Sequence, residues 1–80
     1  MATRNEIFCR VQGIICENQG KEPKDVKESS SLHHDMGMDS LDIMELGMEV
    51  QDKFKIEISD EELATFKTVG SVVDVVANKV

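Results

Sequence analysis

The 80-residue sequence contains neither tryptophan nor tyrosine, and it has only three phenylalanines, two cysteines and one proline. With so few aromatic side chains, a core must be built mainly from aliphatic residues and methionine. Hydrophobic residues make up 40% of the chain, which is enough for one small core. We therefore expect one domain over residues 1–80. A chain of this length has little material to wall a buried enzyme pocket, so the sequence argues against catalysis.

Basic residues are also scarce, with nine Lys and Arg against 16 Asp and Glu and a net charge of -7. This balance argues against binding to nucleic acids or anionic membranes, because basic side chains dominate binding to phosphate. It favours protein partners that carry basic patches. No apolar run approaches the length of a membrane span, and the N-terminal stretch MATRNEIF has no signal-peptide core. These features predict a cytoplasmic protein.

Cys9 and Cys16 are the only cysteines. On a helix over residues 4–18 they would lie about 10 Å apart, which is too far for a disulfide. We expect two free thiols, both exposed, because they lie opposite the apolar stripe of that helix. Two cysteines with no histidine nearby do not supply the four ligands of a structural zinc site, so we expect no metal.

Apolar residues at helical spacing predict the first helix over residues 4–18, ending at Asn18–Gly20. Residues 19–38 show no sustained period and predict a loop with short turns. A loop of this length is unusual in a small domain and is often functional. We expect Val26 and Leu32 to attach it to the core.

The clearest helix is predicted over residues 40–54, with Asp39 as its N-cap and Asp42 three residues later. A capping box that starts at Ser59 predicts a short helix that ends near Phe66.

The C-terminal stretch TVGSVVDVVANKV is rich in valine, which favours strands, but its valines keep helical spacing through Val80. Ser71 and Asp74 are spaced as a further capping box, so we predict a helix here. The predicted fold is all-α, a small bundle of three main helices and one short helix, with a long loop between the first and second helices.

The helix after Ser40 carries two apolar stripes. One stripe is a natural core face and consists of Ile43, Leu46, Val50 and Phe54. The second lies roughly 140° away on a helical wheel of 100° per residue and consists of Leu41, Met44 and Met48. It is interleaved with acidic residues that include Asp42 and Glu45. Either Leu41 packs under the long loop and the methionines are incidental, or the second stripe is a docking surface for partners with apolar and basic groups.

Ser40 admits three interpretations. It is a common type of residue for a helix start and needs no chemistry. As a nucleophile it would need a base, but the only histidines are His33 and His34 in the loop, and the surrounding sequence departs from G-x-S-x-G. As an attachment point it would place a phosphodiester at a helix N-terminus, where negative charge is favoured. Its acidic neighbours would repel free phosphate, which fits a group that another enzyme attaches covalently.

The stretch DMGMDSLDIMELGMEVQDKFKIEISDEELATFKTVGSVVDVV resembles the acyl carrier proteins. The resemblance rests on Asp-x-Gly-x-Asp-Ser-Leu-Asp, on Phe54 and Ile58, on the acidic helix start after Ser59 and on the Thr68-Val69 turn. It extends with less detail over nearly the whole chain. It implies a single acyl carrier domain that acts as a monomer and is not an enzyme.

The resemblance also implies that a phosphopantetheinyl transferase attaches 4′-phosphopantetheine to Ser40. Acyl groups would then be carried as thioesters in fatty-acid or polyketide-type biosynthesis. Acyl-transferring, condensing and modifying enzymes with basic patches would dock on Asp39, Leu41, Asp42, Met44, Glu45 and Met48. The acyl chain would lie among Leu46, Val50, Ile58, Phe66 and Val72.

The chain departs from the family pattern at several positions. Lys53 and Lys55 reduce the acidity at the end of the helix, and Gly47 interrupts that helix at a cost of about 1 kcal/mol relative to alanine. Two alternative functions are a carrier of aminoacyl or peptidyl groups, against which Met36-Gly37-Met38 argues, and a helical adaptor that binds partners non-covalently.

Overall fold

The computed structural model describes residues 3–80, so Met1 and Ala2 of the predicted domain lie outside the described residues. It confirms the predicted all-α fold of three longer helices and one short one. A turn of 3-10 helix, Pro23–Asp25, lies in the loop between the first two. The helices are α1 (Arg4–Gln19), α2 (Ser40–Phe54), α3 (Asp60–Leu63) and α4 (Val69–Ala77).

Helix α1 is capped at both ends and buries one apolar stripe. The Thr3 hydroxyl accepts a hydrogen bond from the Glu6 backbone N–H, and the chain leaves the helix at Gly20 in the left-handed conformation. This agrees with the predicted stop. Phe8 lies at the edge of the stripe and is only partly buried. The buried residues of α1 are Ile7, Val11, Ile14 and Ile15.

The two cysteines differ in environment, although both are free thiols. Cys9 is exposed, as the helical wheel predicts. The predicted exposure of Cys16 is wrong, because its side chain is half-buried and packs against the core. Burial raises the pKa of the Cys16 thiol, and the nearby negative charge of Asp25 adds to this effect.

Helix α4 begins earlier than its predicted capping box. Its N-cap is Thr68, and Ser71 is the third residue of the helix, not its cap. The Ser71 hydroxyl accepts hydrogen bonds from the backbone N–H groups of Lys67 and Thr68, which leaves no capping role for Asp74. Asp74 instead accepts a hydrogen bond of 2.7 Å from Arg4 on α1.

Valine-rich α4 is helical because its apolar side chains are buried by the other elements. Within this helix Val69, Val72, Val73 and Val76 are fully buried, and α1 is its main neighbour. Burial outweighs the small helix propensity deficit of a β-branched residue. The predicted extension of the helix to Val80 is wrong, because α4 ends at Ala77 and Val80 is exposed.

Helix α3 has the predicted start but ends sooner than predicted. Ser59 and Glu62 form the reciprocal capping box, and the helix stops at Leu63. The prediction that it continues to about Phe66 is wrong. After Leu63 the chain makes tight turns in which the Phe66 N–H donates to the Leu63 carbonyl, and the Phe66 ring is buried in the core.

The long loop is attached to the core by side chains and to the segment before α4 by its backbone. Val26 and Leu32 are buried, as predicted. Met36 and Met38 are also buried, although no sequence pattern indicated them as core residues. The Leu32 N–H donates to the Lys67 carbonyl at 2.9 Å, within an isolated antiparallel bridge between the two segments. The loop therefore has a defined path up to Ser40.

We predict that Leu46→Ala lowers the free energy of unfolding by about 2 to 5 kcal/mol, because Leu46 is fully buried on α2 and its removal leaves a cavity. Leu41→Ala, on the same helix but 67% exposed, is the matched control and should change stability by about 0.5 kcal/mol or less. Urea unfolding followed by circular dichroism measures both. Equal losses would contradict the assigned faces of α2.

We also predict that acid destabilises the fold through Glu62. The Ser59 backbone N–H donates to the Glu62 carboxylate at 3.0 Å and lowers its pKa, and Lys79 lowers it further through a hydrogen bond and an ion pair. A carboxyl whose pKa is lower in the folded state stabilises the fold above its unfolded pKa, and that contribution is lost as the pH falls through the folded pKa. We therefore expect unfolding midpoints to decrease below the ordinary Glu pKa of 4.5. Glu62→Gln should weaken this dependence, whereas Glu61→Gln should retain it.

Candidate functional site

Ser40 is the first residue of α2, and a reciprocal capping box holds it there. The Asp42 N–H donates to the Asp39 carboxylate at 2.9 Å, and the Asp39 N–H donates to the Asp42 carboxylate at 3.1 Å. This confirms Asp39 as the predicted N-cap. Both acidic neighbours of Ser40 are thus fixed by the backbone, and the Ser40 side chain between them is exposed.

The second apolar stripe of α2 lies at the surface. Leu41, Met44 and Met48 are 67%, 51% and 66% exposed, and Glu45 between them is exposed as well. The interpretation in which Leu41 packs under the long loop is therefore wrong. An apolar surface rimmed by carboxylates lies directly beside Ser40, on the side of α2 that the core leaves free.

A pocket of about 320 Å³ opens beside Ser40, between α2 and α3. Its apolar wall comes from both helices and from the turn that follows α3. The lining residues are His33, Ser40, Ile43, Met44, Asp60, Leu63, Ala64 and Phe66.

A second pocket of about 140 Å³ lies further along α2. It shares Met44, Asp60 and Leu63 with the first pocket. Its remaining lining residues are Gly47, Met48, Gln51 and Ile58. We call the first pocket the outer pocket and the second the inner pocket.

The five residues expected to line an acyl chain fall into two groups. Phe66 lines the outer pocket and Ile58 lines the inner pocket. Leu46, Val50 and Val72 are fully buried in the core and line neither of these two pockets. The family resemblance implied these lining residues, and an apolar sequence pattern could not distinguish the core from a pocket wall.

Several pocket residues were not identified from the sequence. His33 belongs to an exposed pair in the loop, and no local pattern brings it to Ser40. Leu63 and Ala64 follow the capping box of α3, so their position depends on how that short helix packs on α2. Of these residues, only Leu63 could have been expected to pack against another helix, because it is the one large apolar residue in Asp60–Leu63.

The site offers an exposed hydroxyl beside a pocket. His33 and Ser40 line the same pocket. Within residues 3–80, however, no hydrogen bond joins their side chains, so His33 is not placed as a base for the Ser40 hydroxyl. Within the same residues no three potential ligands cluster as a metal site would require. No helix in the part of the chain that the structure describes is long and apolar enough to cross a membrane. An exposed Ser40 with open space beside it has room for a covalent substituent.

Comparison with known proteins shows the family of this chain and the cofactor that it carries. The family model described as the phosphopantetheine attachment site matches residues 9–76. The chain is 41% identical over 78 residues to an acyl carrier protein of Exiguobacterium sibiricum, covering 98% of this chain and 99% of that protein. It is 38% identical over 79 residues to the acyl carrier protein of Thermotoga maritima, covering 99% and 98%.

A solved structure of the acyl carrier protein from Enterococcus faecalis superposes with a TM-score of 0.81 at 33% identity, covering 99% of this chain and all of that one. The comparisons confirm the resemblance seen in the sequence, and the cofactor is a covalently attached 4′-phosphopantetheine. This chain belongs to the acyl carrier protein family.

Proposed function

We propose that this protein carries acyl intermediates as thioesters on a 4′-phosphopantetheine arm attached to Ser40, in fatty-acid or polyketide-type biosynthesis. The observation that supports this most is the exposed Ser40 at the start of α2, which the Asp39–Asp42 capping box places beside a pocket whose wall includes apolar side chains of α2 and α3. The whole chain would act as one carrier domain and as a monomer in the cytoplasm.

The residues around Ser40 favour attachment over catalysis. In the loading step the Ser40 hydroxyl would give up its proton to a base of the phosphopantetheinyl transferase, and its oxygen would bond to the phosphorus next to the pantetheine. The pyrophosphate bond of coenzyme A would break, and adenosine 3′,5′-bisphosphate would leave. The positive end of the α2 dipole stabilises the negative phosphodiester. When bound, the arm supplies the thiol that forms the thioester. The protein itself would catalyse no reaction, because its own residues only hold, orient and present the group.

Partner enzymes would dock on the exposed face of α2. Leu41, Met44 and Met48 offer an apolar strip, and methionine side chains adapt to differently shaped partners. The carboxylates of Asp39, Asp42 and Glu45 would attract basic patches on these enzymes and orient them before contact. The strip starts next to Ser40, so an enzyme seated on it has its active site near the arm.

The acyl chain would shelter between α2 and α3. Phe66 would contact the chain in the outer pocket and Ile58 in the inner pocket. Leu46, Val50 and Val72 line neither of these two pockets, and as core residues they would form the apolar surroundings of the acyl chain. Burial of an alkyl chain is favourable in proportion to the area removed from water.

Two other functions are less well supported. An aminoacyl or peptidyl carrier would use the same serine, but Ile43, Leu63 and Phe66 in the outer pocket offer apolar contacts that suit an alkyl cargo. A non-covalent adaptor would use the same exposed strip of α2, but it would give no role to a hydroxyl held beside a pocket.

We predict that the protein gains the mass of one phosphopantetheinyl group when incubated with coenzyme A and a broad-specificity phosphopantetheinyl transferase. Ser40→Ala should gain none, because the attacking hydroxyl is gone, and Ser29→Ala, at an exposed serine of the loop, should load as the wild type does. Intact-protein mass spectrometry measures the gain. An unmodified wild type, or a Ser40→Ala variant that is still modified, would contradict the proposed attachment site.

For docking, we predict that Leu41→Glu slows loading by the transferase without changing thermal stability. Leu41 is 67% exposed, so the substitution removes apolar contact area and adds a charge without disturbing the core. It is a sharper test than a substitution of Met44, which also lines the pockets. Val80→Glu, at the exposed C-terminal residue, is the matched control and should load normally. Equal loading rates in the two variants would argue against docking through this strip.

A further inference from the structure

Gly47 is the one residue of the buried α2 face with no side chain, although a glycine inside a helix destabilises it relative to alanine. A Cβ placed at Gly47 would lie 2.6 Å from Cδ1 of Leu63, a separation that packed carbon atoms do not adopt. Leu63 on α3 therefore inserts its end into a notch that only glycine leaves open.

Leu63 lies where the outer and inner pockets meet. It lines both of them, together with Met44 and Asp60. Its side chain is partly buried, and it belongs to a helix of only four residues. A leucine at the end of one short turn can change rotamer at much lower cost than a residue packed in the core.

The far end of the inner pocket has a fixed boundary. The Gln51 side-chain oxygen accepts a hydrogen bond of 3.0 Å from the Ile58 N–H, and both residues line this pocket. A chain that starts at Ser40 thus meets the outer pocket first, then Leu63, and finally this end wall. The inner pocket is the smaller, at about 140 Å³ against about 320 Å³.

We propose that Leu63, seated in the Gly47 notch, is a gate that sets the length of acyl chain this carrier shelters. Short chains occupy the outer pocket while Leu63 stays in the notch. Longer chains require Leu63 to swing out, which joins the inner pocket to the outer one. This inference rests on the proposed function and deepens it, because it assigns chain-length specificity to two residues that do not touch the attachment point.

The experiment loads the full-length protein at Ser40 with butyryl-, octanoyl- and palmitoyl-phosphopantetheine, and intact mass confirms each product. The rise in thermal midpoint over the unacylated phosphopantetheinyl form measures how far each chain is sheltered, because a group that binds only the folded state stabilises it. The rate of thioester cleavage by hydroxylamine measures the same shelter independently. Both readouts are compared across chain lengths within each variant, so a general change in stability cancels.

Leu63→Ala removes the gate, so we expect palmitoyl to raise the midpoint by about 4 °C more than it does in the wild type, a readily measured shift for a domain of this size. The butyryl effect should stay unchanged. Gly47→Ala fills the notch and keeps Leu63 out of it, in the position that joins the two pockets, so the palmitoyl effect should increase here as well. In the Leu63→Ala background, Gly47→Ala should have little further effect, because it acts through Leu63.

Two matched controls keep both pockets intact. Gly13→Ala adds a Cβ to a helical glycine with no atom within 4 Å, and Val75→Ala shortens a partly buried aliphatic residue of α4. Leu63→Val is the substitute if Leu63→Ala does not fold. Chain-length profiles in the Leu63 and Gly47 variants that match those of the controls would overturn the gate and leave the carrier function standing. Failure of the wild type to load at Ser40 would overturn both.

Discussion

The attachment of the long loop to the segment before α4 is the constraint on which the rest of the structure depends. Backbone hydrogen bonds join Leu32 to Lys67 and Val69 to Ser30, and a third joins Gly70 to Glu28. They fix the end of the loop against the start of α4. The position of α2, and of Ser40 at its beginning, follows from this attachment and from the buried methionines of the loop.

The acidic residues beside Ser40 have a structural role, and they also belong to the proposed docking surface. Asp39 and Asp42 satisfy backbone N–H groups at the start of α2, and their negative charge is favourable at this end of a helix, so the helix begins at Ser40. Since each carboxylate is held by the backbone, the proposed docking surface has fixed charges at the attachment point. These side chains of the carrier then lose little further entropy when a partner binds there.

Helix α2 divides its apolar residues between the core and the surface. Leu46 and Val50 are fully buried in the core, whereas Leu41 and Met48 are left at the surface. Between these two faces lies Gly47, where the helix gives up a side chain and α3 approaches closely. A short helix packed over a glycine forms pockets that a tightly packed core would not contain.

The sequence by itself determined the helices, the N-cap at Asp39 and the two faces of α2, because periodicity and capping act between residues close in the chain. It misplaced the start of α4, because the predicted Ser71–Asp74 box has the same three-residue spacing as the actual Thr68–Ser71 box, beside which the loop packs through the bridge from Ser31 to Thr68. Only the tertiary structure brought His33 to the same pocket as Ser40, seated Leu63 over Gly47 and separated pocket residues such as Ile58 from core residues such as Leu46. These arrangements depend on how distant segments pack, and a local pattern shows that a residue is apolar without showing which neighbour covers it.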